Sequence, residues 1–491
     1  MGYWGEALTH FHPVWAQEDV AASRAALQRI PNGADARLTK REKMYLDAAR
    51  TLVGDGDRAT RWQRYAESMR ELHASDPKDE EAATLYAVAM LGTAIGERFI
   101  DGKEPRFRPF AEAGALATDV LTRNPLHPGA THYVIHSFDD PEHAVLALPA
   151  ARSYARIAPE ASHAQHMPSH IFVQLGMWPE ASKSNEAAWA ASDAWVRRKG
   201  LDVSHHDFHS LSWLQSIRLE QGRYGDAAAA LALARADLAA VREKRSRLRV
   251  IYAQMVGDFL SETDDWARAD ELLAPLANAE PARTPVPAVA AGSATPPPAA
   301  TCHVVGGEER TDALNETLTV TLVGGLRALA EKNVAAAEAA ANALAKLLPS
   351  TAGVERDFWQ AGELEIRGRA AALKGNFETA TMKLKAAIEI DERRPPLGPV
   401  QGVTPRERLA DLLLAKGRSS EALQHYKRVL DLHPRRARAL LGTARAAAAM
   451  RDPAASSYWS ELAVVWSKAD PDLAELAELR RATGRETSSS R

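Results

Sequence analysis

One spacing recurs along this chain of 491 residues and limits what it can fold into. A Gly or Asp is followed two residues on by an aromatic and five residues on by Ala. The copies are Gly176-Met-Trp178-Pro-Glu-Ala181, Gly222-Arg-Tyr224-Gly-Asp-Ala227, Asp264-Asp-Trp266-Ala-Arg-Ala269 and Gly375-Asn-Phe377-Glu-Thr-Ala380. Gly417-Arg-Ser-Ser-Glu-Ala422 keeps the turn and the Ala, and Asp139-Asp-Pro-Glu-His-Ala144 is a degenerate copy. A second small residue often follows seven later, at Ala151, Ala188 and Ala387. A turn residue that tolerates left-handed backbone, then an aromatic, then an Ala small enough to let two helices cross closely, describes antiparallel helix pairs. The pattern predicts an all-α fold of about ten hairpins stacked in a solenoid.

Composition supports helices and removes several function classes. Hydrophobic residues make up 46% of the chain but aromatics only 6%, and Ala supplies much of the difference, as in close-packed helices. The single cysteine, Cys302, forbids a disulfide or a thiolate metal cluster within one chain. A formal charge of -3 argues against a general nucleic-acid or membrane-surface binder, and no apolar run reaches the length of a membrane span. The opening Met1-Gly-Tyr-Trp-Gly-Glu-Ala-Leu lacks the basic and apolar regions of an export signal and reads like the interior of a helix. An upstream segment is therefore expected. The chain is cytoplasmic as written, and exported if that segment carries a signal.

The hairpin pattern breaks at Pro281-Ala-Arg-Thr-Pro-Val-Pro and again through the prolines ending near Gly307, because proline this dense cannot continue a helix. The expected organisation is an N-terminal array over 1–280, a Pro/Ala-rich linker or long loop over 281–311, a C-terminal array over 312–484 and a disordered tail over 485–491.

Glu421-Ala422-Leu-Gln-His-Tyr426-Lys-Arg-Val-Leu-Asp-Leu-His-Pro434 resembles the second helix of the tetratricopeptide repeat, a helix–turn–helix of about 34 residues. The resemblance covers most of residues 40–467 and implies a right-handed superhelix with a concave groove that takes a small-molecule or peptide ligand. The spacing departs from the repeat, since Ala144 and Ala181 are 37 residues apart and Ala181 and Ala227 are 46 apart, so insertions separate some repeats. Leu126-His-Pro-Gly-Ala-Thr-His-Tyr-Val-Ile-His136, Ile157-Ala-Pro, His163–Phe172 and Leu175-Gly-Met-Trp178 are similar to a group of bacterial tetratricopeptide-repeat proteins with a His-rich central block. Tyr3-Trp-Gly5 resembles the inside of that group's first repeat. This second likeness implies no particular activity.

The histidines carry the chemistry. Ten of the sixteen lie within residues 127–209. On a helix, His132 and His136 share a face, His163, His166 and His170 form a stripe, and His205 and His209 repeat the four-residue step. Packing gives no reason to align imidazoles, whereas a metal site does, because imidazole is the commonest neutral nitrogen ligand. If Gly176 marks the turn of the repeat, the resemblance puts His163, His166 and His170 at groove-lining positions. His209 and His136 fall there as well, with His132 at a packing position.

The candidate metal ligands are His132, His136, His163, His166, His170, His205 and His209. Asp139, Asp140 and Asp207 are extra ligands or acceptors that fix imidazole tautomers. Trp178, Trp189, Trp195 and Trp213 either wall such a site or belong to hairpin cores. His10 and His12 diverge if they lie on one helix. Copper, zinc or iron suits the ligand set. A histidine-lined pocket for an anion or peptide, and purely structural histidines, stay open as alternatives. Two functions compete: a metalloprotein, as an oxidoreductase or hydrolase, and a repeat module that binds a peptide without catalysis. No His-Glu-x-x-His, phosphate-binding loop or dinucleotide fingerprint is present. Gly54-Asp-Gly-Asp57 reads as a hairpin turn.

Overall fold

The computed structural model describes residues 1–15, 17–31, 33, 37–98, 107–242, 246–277, 309–394 and 396–484. Twenty-four α-helices account for most of them, and the one ladder among the described residues joins Phe11–His12 to Gln17–Glu18. The chain forms two compact units that part within 159–172. Among the described residues, Met1–Pro159 and His163–Ile171 belong to the first, and Glu160–Ser162 with those from Phe172 onward to the second. The expected linker over 281–311 lies outside the described residues except for 309–311, which open a helix. The tail over 485–491 lies outside them as well.

The first unit runs α1 (Gly2–Leu8), β1 (Phe11–His12), β2 (Gln17–Glu18), α2 (Val20–Gln28), α3 (Lys40–Leu52), α4 (Arg58–Ser75), α5 (Glu80–Arg98), α6 (Phe107–Arg123), α7 (Pro128–Ser137) and α8 (Ala144–Ile157). Two short helices then follow, α9 (Ser162–His166) and α10 (Pro168–Gln174). From α3 to α8 each helix packs on the next. Helix starts are written into the sequence: Thr39 and Glu42 form a reciprocal capping box, and Asp57 caps α4 through the Thr60 amide. The Gly54–Asp57 stretch is thus a hairpin turn. Asp79, buried, accepts from Tyr45 Oη at 2.9 Å and Arg41 Nε at 2.5 Å and caps Ala82, which pins α3 to the start of α5. The core beneath is Tyr45, Leu52, Trp62, Tyr65, Met69 and Leu72, closed by Phe11. Gly114 on α6 lets the end of α7 approach, because a Cβ there would stand 2.5 Å from the Phe138 ring.

The second unit contains α11 (Trp178–Lys199), α12 (Phe208–Glu220), α13 (Tyr224–Ala240), α14 (Ser246–Thr263), α15 (Ala269–Ala277), α16 (Glu309–Ala330), α17 (Val334–Leu347) and α18 (Gly353–Leu373). It continues through α19 (Phe377–Asp391), α20 (Pro405–Ala415), α21 (Ser419–Leu432), α22 (Ala437–Ala449), α23 (Ala455–Val465) and α24 (Leu476–Ala482). Successive helices pack as hairpins. Alternate ones also touch (α12 on α14, α16 on α18, α18 on α20, α20 on α22), so first helices of neighbouring pairs stack as in a tetratricopeptide-type solenoid.

The turn spacing is carried out as predicted. Gly176, Gly222, Gly375, Gly417 and Asp264 all have positive φ, and the marked residues Ala144, Ala181, Ala227, Ala269, Ala380 and Ala422 are all fully buried. The amide after each turn glycine reaches back five residues, as from Met177 to Phe172 at 2.7 Å and from Arg223 to Arg218 at 2.9 Å, closing the helix end with a left-handed cap. The same spacing hides at Lys332-Asn-Val334-Ala-Ala-Ala337, where Lys332 takes the left-handed conformation and Ala337 is buried. The degenerate copy differs: Asp139 and Asp140 lack positive φ, and the Asp140 side chain instead caps the amides of Glu142 and His143.

Arg436, faced by three carboxylates, ties the second unit together. Its guanidinium donates to Glu262 at 2.5 Å, to both oxygens of Glu407 at 3.1 and 3.2 Å, to the Gly402 carbonyl at 2.8 Å, and to Glu220. Glu220 also accepts from the Ala437 amide at 2.8 Å. Burial pushes Glu220 up to about 7 against the pull of Arg436. Burial would raise Glu407 too, but Arg436 and Arg438 outweigh it and hold Glu407 below its ordinary range.

Candidate metal centre

The candidate histidines of the first unit stand on α7, α9 and α10. Helix α7 starts at Pro128, whose missing N–H is no loss in a first turn, and is capped by His127, whose Nδ1 accepts from the Ala130 amide at 3.2 Å. Its four-residue step brings His132 and His136 together, with Nε2 atoms 2.9 Å apart. Gln165 anchors α9 by donating to the Ala155 carbonyl at 2.7 Å and to that of Pro159 at 3.3 Å. This sets His163 against α7, its Nε2 3.0 Å from that of His132. The three side chains offer nitrogens that all lie within 4.8 Å of one another.

One ion fits the trio better than protons do. A neutral imidazole Nε2 carries either one hydrogen or one in-plane lone pair, so it completes one straight hydrogen bond and not two. His132 Nε2 faces two partners. Its single hydrogen or lone pair must then be shared between His136 and His163, which gives two bent hydrogen bonds in place of straight ones. A cation accepts all three lone pairs at once. Ligand bonds of about 2.0–2.1 Å at tetrahedral angles separate nitrogens by about 3.3 Å, so the rings need open by only a few tenths of an ångström. His136 is buried while His132 and His163 are partly exposed, leaving one side of the trio open to a water or substrate. Three ligands and an open position form a catalytic type of site. Tyr133 and Tyr154 stack on the His132 ring, each with centroids 5.6 Å away. Burial raises both phenols, Tyr133 to about 12, which keeps them neutral beside the histidines.

His166 and His170 form a separate pair, both 1% exposed, with Nε2 atoms 3.1 Å apart. Asp139, also buried, accepts from His170 Nδ1 at 2.7 Å. That bond fixes the tautomer and turns the Nε2 lone pair of His170 towards His166, the arrangement that orients metal-binding imidazoles. A single proton shared between the two Nε2 atoms also satisfies this pair. Its rings adjoin the trio: His136 and His170 have centroids 5.9 Å apart, and His163 and His166 6.5 Å.

Several expectations need correction. His163, His166 and His170 do not form one stripe on one helix. Pro168 has no amide to donate, the helix breaks at Met167, and His163 joins His132 while His166 joins His170. His132, assigned by repeat register to a packing position, is the centre of the trio; the register assumed a left-handed turn at Asp139 that α7 does not have. His12, expected to diverge from His10 on one helix, lies instead on the β1–β2 ladder. Burial, then His10 and His163, hold it below the ordinary histidine range, so it stands within electrostatic reach of the trio.

His205 and His209 lie in the second unit. His205 ends a short 3-10 turn and sits edge-on to Trp195, with centroids 6.3 Å apart; His209 is in the first turn of α12 with its ring 5.3 Å from that of Trp213. Both are buried. Asp207 caps α12 through Ser210 and accepts from Ser162 Oγ at 2.5 Å, and Asp140 serves the next helix start and His143 at 2.8 Å. Trp178 donates to the Arg435 carbonyl at 2.9 Å, and Trp189 packs on His206 and Phe208 in the core. These two tryptophans are hairpin core.

No protein-family model matches the chain, and no curated protein is similar to it in sequence. Among solved structures it is similar to the human IFIT1 dimer with PPP-AAAA (TM-score 0.41, 12% identity, 92% of this chain and 86% of that one). It is also similar to the Cut9–Hcn1 hetero-tetramer of APC/C (0.33, 10%, 92% and 85%) and to yeast Tom70 (0.26, 12%, 91% and 96%). Among the described residues no helix is long and apolar enough to cross a membrane.

Proposed function

We propose that the first unit binds a transition-metal ion on His132, His136 and His163, with the His166–His170 pair and its Asp139 acceptor beside it. The observation that carries this reading is the contact of His132 Nε2 with two other Nε2 atoms, an approach that one ion uses along all three lone pairs and a proton serves only when shared. Zinc, copper and iron all accept imidazole. The partly exposed face favours an open, metal-dependent enzyme site, hydrolytic with zinc or oxidative with copper or iron. His209 enters the proposal by its repeat register and His205 by the four-residue step that precedes it, and their single alanine variants test each. Bacterial proteins similar in the His132–His170 block are expected to share the metal.

Protein purified without a nickel column should hold about one ion per chain. The double variant H132A/H163A should hold none while its helical circular dichroism stays the same. The second reading, a repeat module that binds a peptide in its groove, rests on the helical-hairpin architecture. A metal-free wild type that rejects added zinc, copper and iron would favour it and end the metal proposal.

A further inference from the structure

The second unit holds a cleft of about 910 Å³, within the usual range of about 300–1,000 Å³ for small-molecule sites. Four arginines line it; Arg268 is paired with Glu271 and Arg445 with Glu478, which leaves Arg408 on α20 and Arg438 on α22. Arg438 donates to one oxygen of Asp411 at 2.6 Å, and Tyr426 Oη donates to the other at 2.5 Å. That carboxylate is therefore fully used. Arg408 is different. Its side chain is only 13% exposed, and its buried Nε has no hydrogen-bond partner among the described residues. The nearest carboxylate oxygen, Glu365 Oε1, is 3.4 Å from its Nε and already accepts from Arg369 at 3.0 Å. Burial, and then Arg369 and Arg438, push Arg408 down to about 10. The Nε of Arg438 is likewise buried without a partner. Guanidinium groups this enclosed are ordinarily bonded to an anion, and here the protein offers the Arg408 Nε only Glu365 at 3.4 Å.

Carboxylates line the cleft as well, among them Asp265, Asp472 and Glu475. They repel a polyanion and attract a cation. The cleft is also bounded. Asp470 donates its amide to the Gly222 carbonyl at 3.0 Å and accepts from the Gly225 amide at 2.7 Å, strapping the 470–475 segment to the α12–α13 turn. Gly222 permits this approach, since a Cβ there would stand 2.9 Å from Ala469. A wall held this way suits a short ligand better than a passing chain.

We propose that the cleft binds a small zwitterion of the basic amino acid class, its carboxylate on Arg408 and Arg438 and its ammonium groups on Asp265, Asp472 and Glu475. The test is titration calorimetry on the full chain with L-lysine, cadaverine, hexanoate, inorganic phosphate and an end-blocked lysine tripeptide. L-lysine should bind saturably. Cadaverine, which lacks the carboxylate, and hexanoate, which lacks the amines, should each bind at least about tenfold more weakly. Arg408→Met should lose at least about tenfold in lysine affinity while its Tm stays level or rises, because a weakly paired buried charge is removed. Tighter binding of phosphate or of the blocked tripeptide overturns the ligand class. No binding by lysine, or equal binding by R408M, overturns the site. A large fall in the Tm of R408M makes Arg408 a structural residue and refutes the proposal as well.

Discussion

Replacing Arg436 with Leu should unlock the second unit, and the loss should depend on pH. Arg436 and Glu220 each have side chains only 2% exposed, and Glu407 is fully buried. Leu fills part of the space but leaves Glu220, Glu262 and Glu407 facing one another without a cation. Removing one partner of a buried pair costs about 3–5 kcal/mol. A domain of this size loses about 2–4 °C of Tm per kcal/mol, so R436L should unfold roughly 10 °C lower than the wild type at pH 8. Between pH 8 and pH 5 the wild-type contribution of Glu407 is constant, so the sign comes from the carboxylates that R436L leaves without a cation. The folded pKa of Glu407 is held below the ordinary 4.5, so its contribution is present above that value and is lost as pH falls through the folded one. In R436L the carboxylates instead gain by protonation. The Tm gap between wild type and R436L should therefore narrow from pH 8 to pH 5. Thermal melts followed by circular dichroism at both values measure it. A loss under about 1 kcal/mol at pH 8, or an equal loss at both pH values, would refute this account of the cluster.

Asp139→Asn frees the His170 tautomer and should weaken metal binding about 10–100-fold, as measured by competition with a chelator; unchanged affinity separates the His166–His170 pair from the metal. Metal binding to the wild type should weaken below about pH 6, because protonated imidazole has no lone pair to give, and identical titrations at pH 7.5 and pH 5 would count against histidine ligation. Burial, reinforced by the charge of Glu262, pushes Asp258 up to about 8 from an ordinary 3.8. A raised folded pKa gives stability that is complete below the unfolded value and is lost as pH rises through the folded one. Asp258→Asn escapes that loss, so its Tm should gain on the wild type between pH 5 and pH 9, and a constant gap would contradict it. Limited proteolysis should cut first within Pro281–Gly307, where the Pro-rich composition opposes helix; first cuts inside 160–220 would place the weak point elsewhere.

The hairpins were legible because their punctuation is local. Gly176, Gly222, Gly375 and Gly417 each stand where a left-handed turn is needed, and an Ala five residues on marks the helix crossing. The Lys332 turn was not legible, since only its backbone and not its side chain betrays it. The histidine pairs on α7 and across Pro168 could be read from four-residue steps, but their grouping could not. Which pair His163 joins depends on the break at Met167 and on the anchoring of α9 by Gln165 to carbonyls at 155 and 159. His12 was hidden by the assumption that its segment is helical. Arg436 and Arg408 left no trace in the sequence, because their surroundings come from helices remote in the chain, Glu220 lying 216 residues from Arg436.

The central claim is that three histidine nitrogens converge to hold one ion. X-ray absorption at the metal edge of the zinc- or copper-loaded protein tests it most directly. The account predicts about three imidazole nitrogens at about 2.0–2.1 Å, with the imidazole scattering reduced in H163A and abolished in H132A/H136A/H163A. A first shell of oxygens, or a spectrum unchanged in the triple variant, would contradict it.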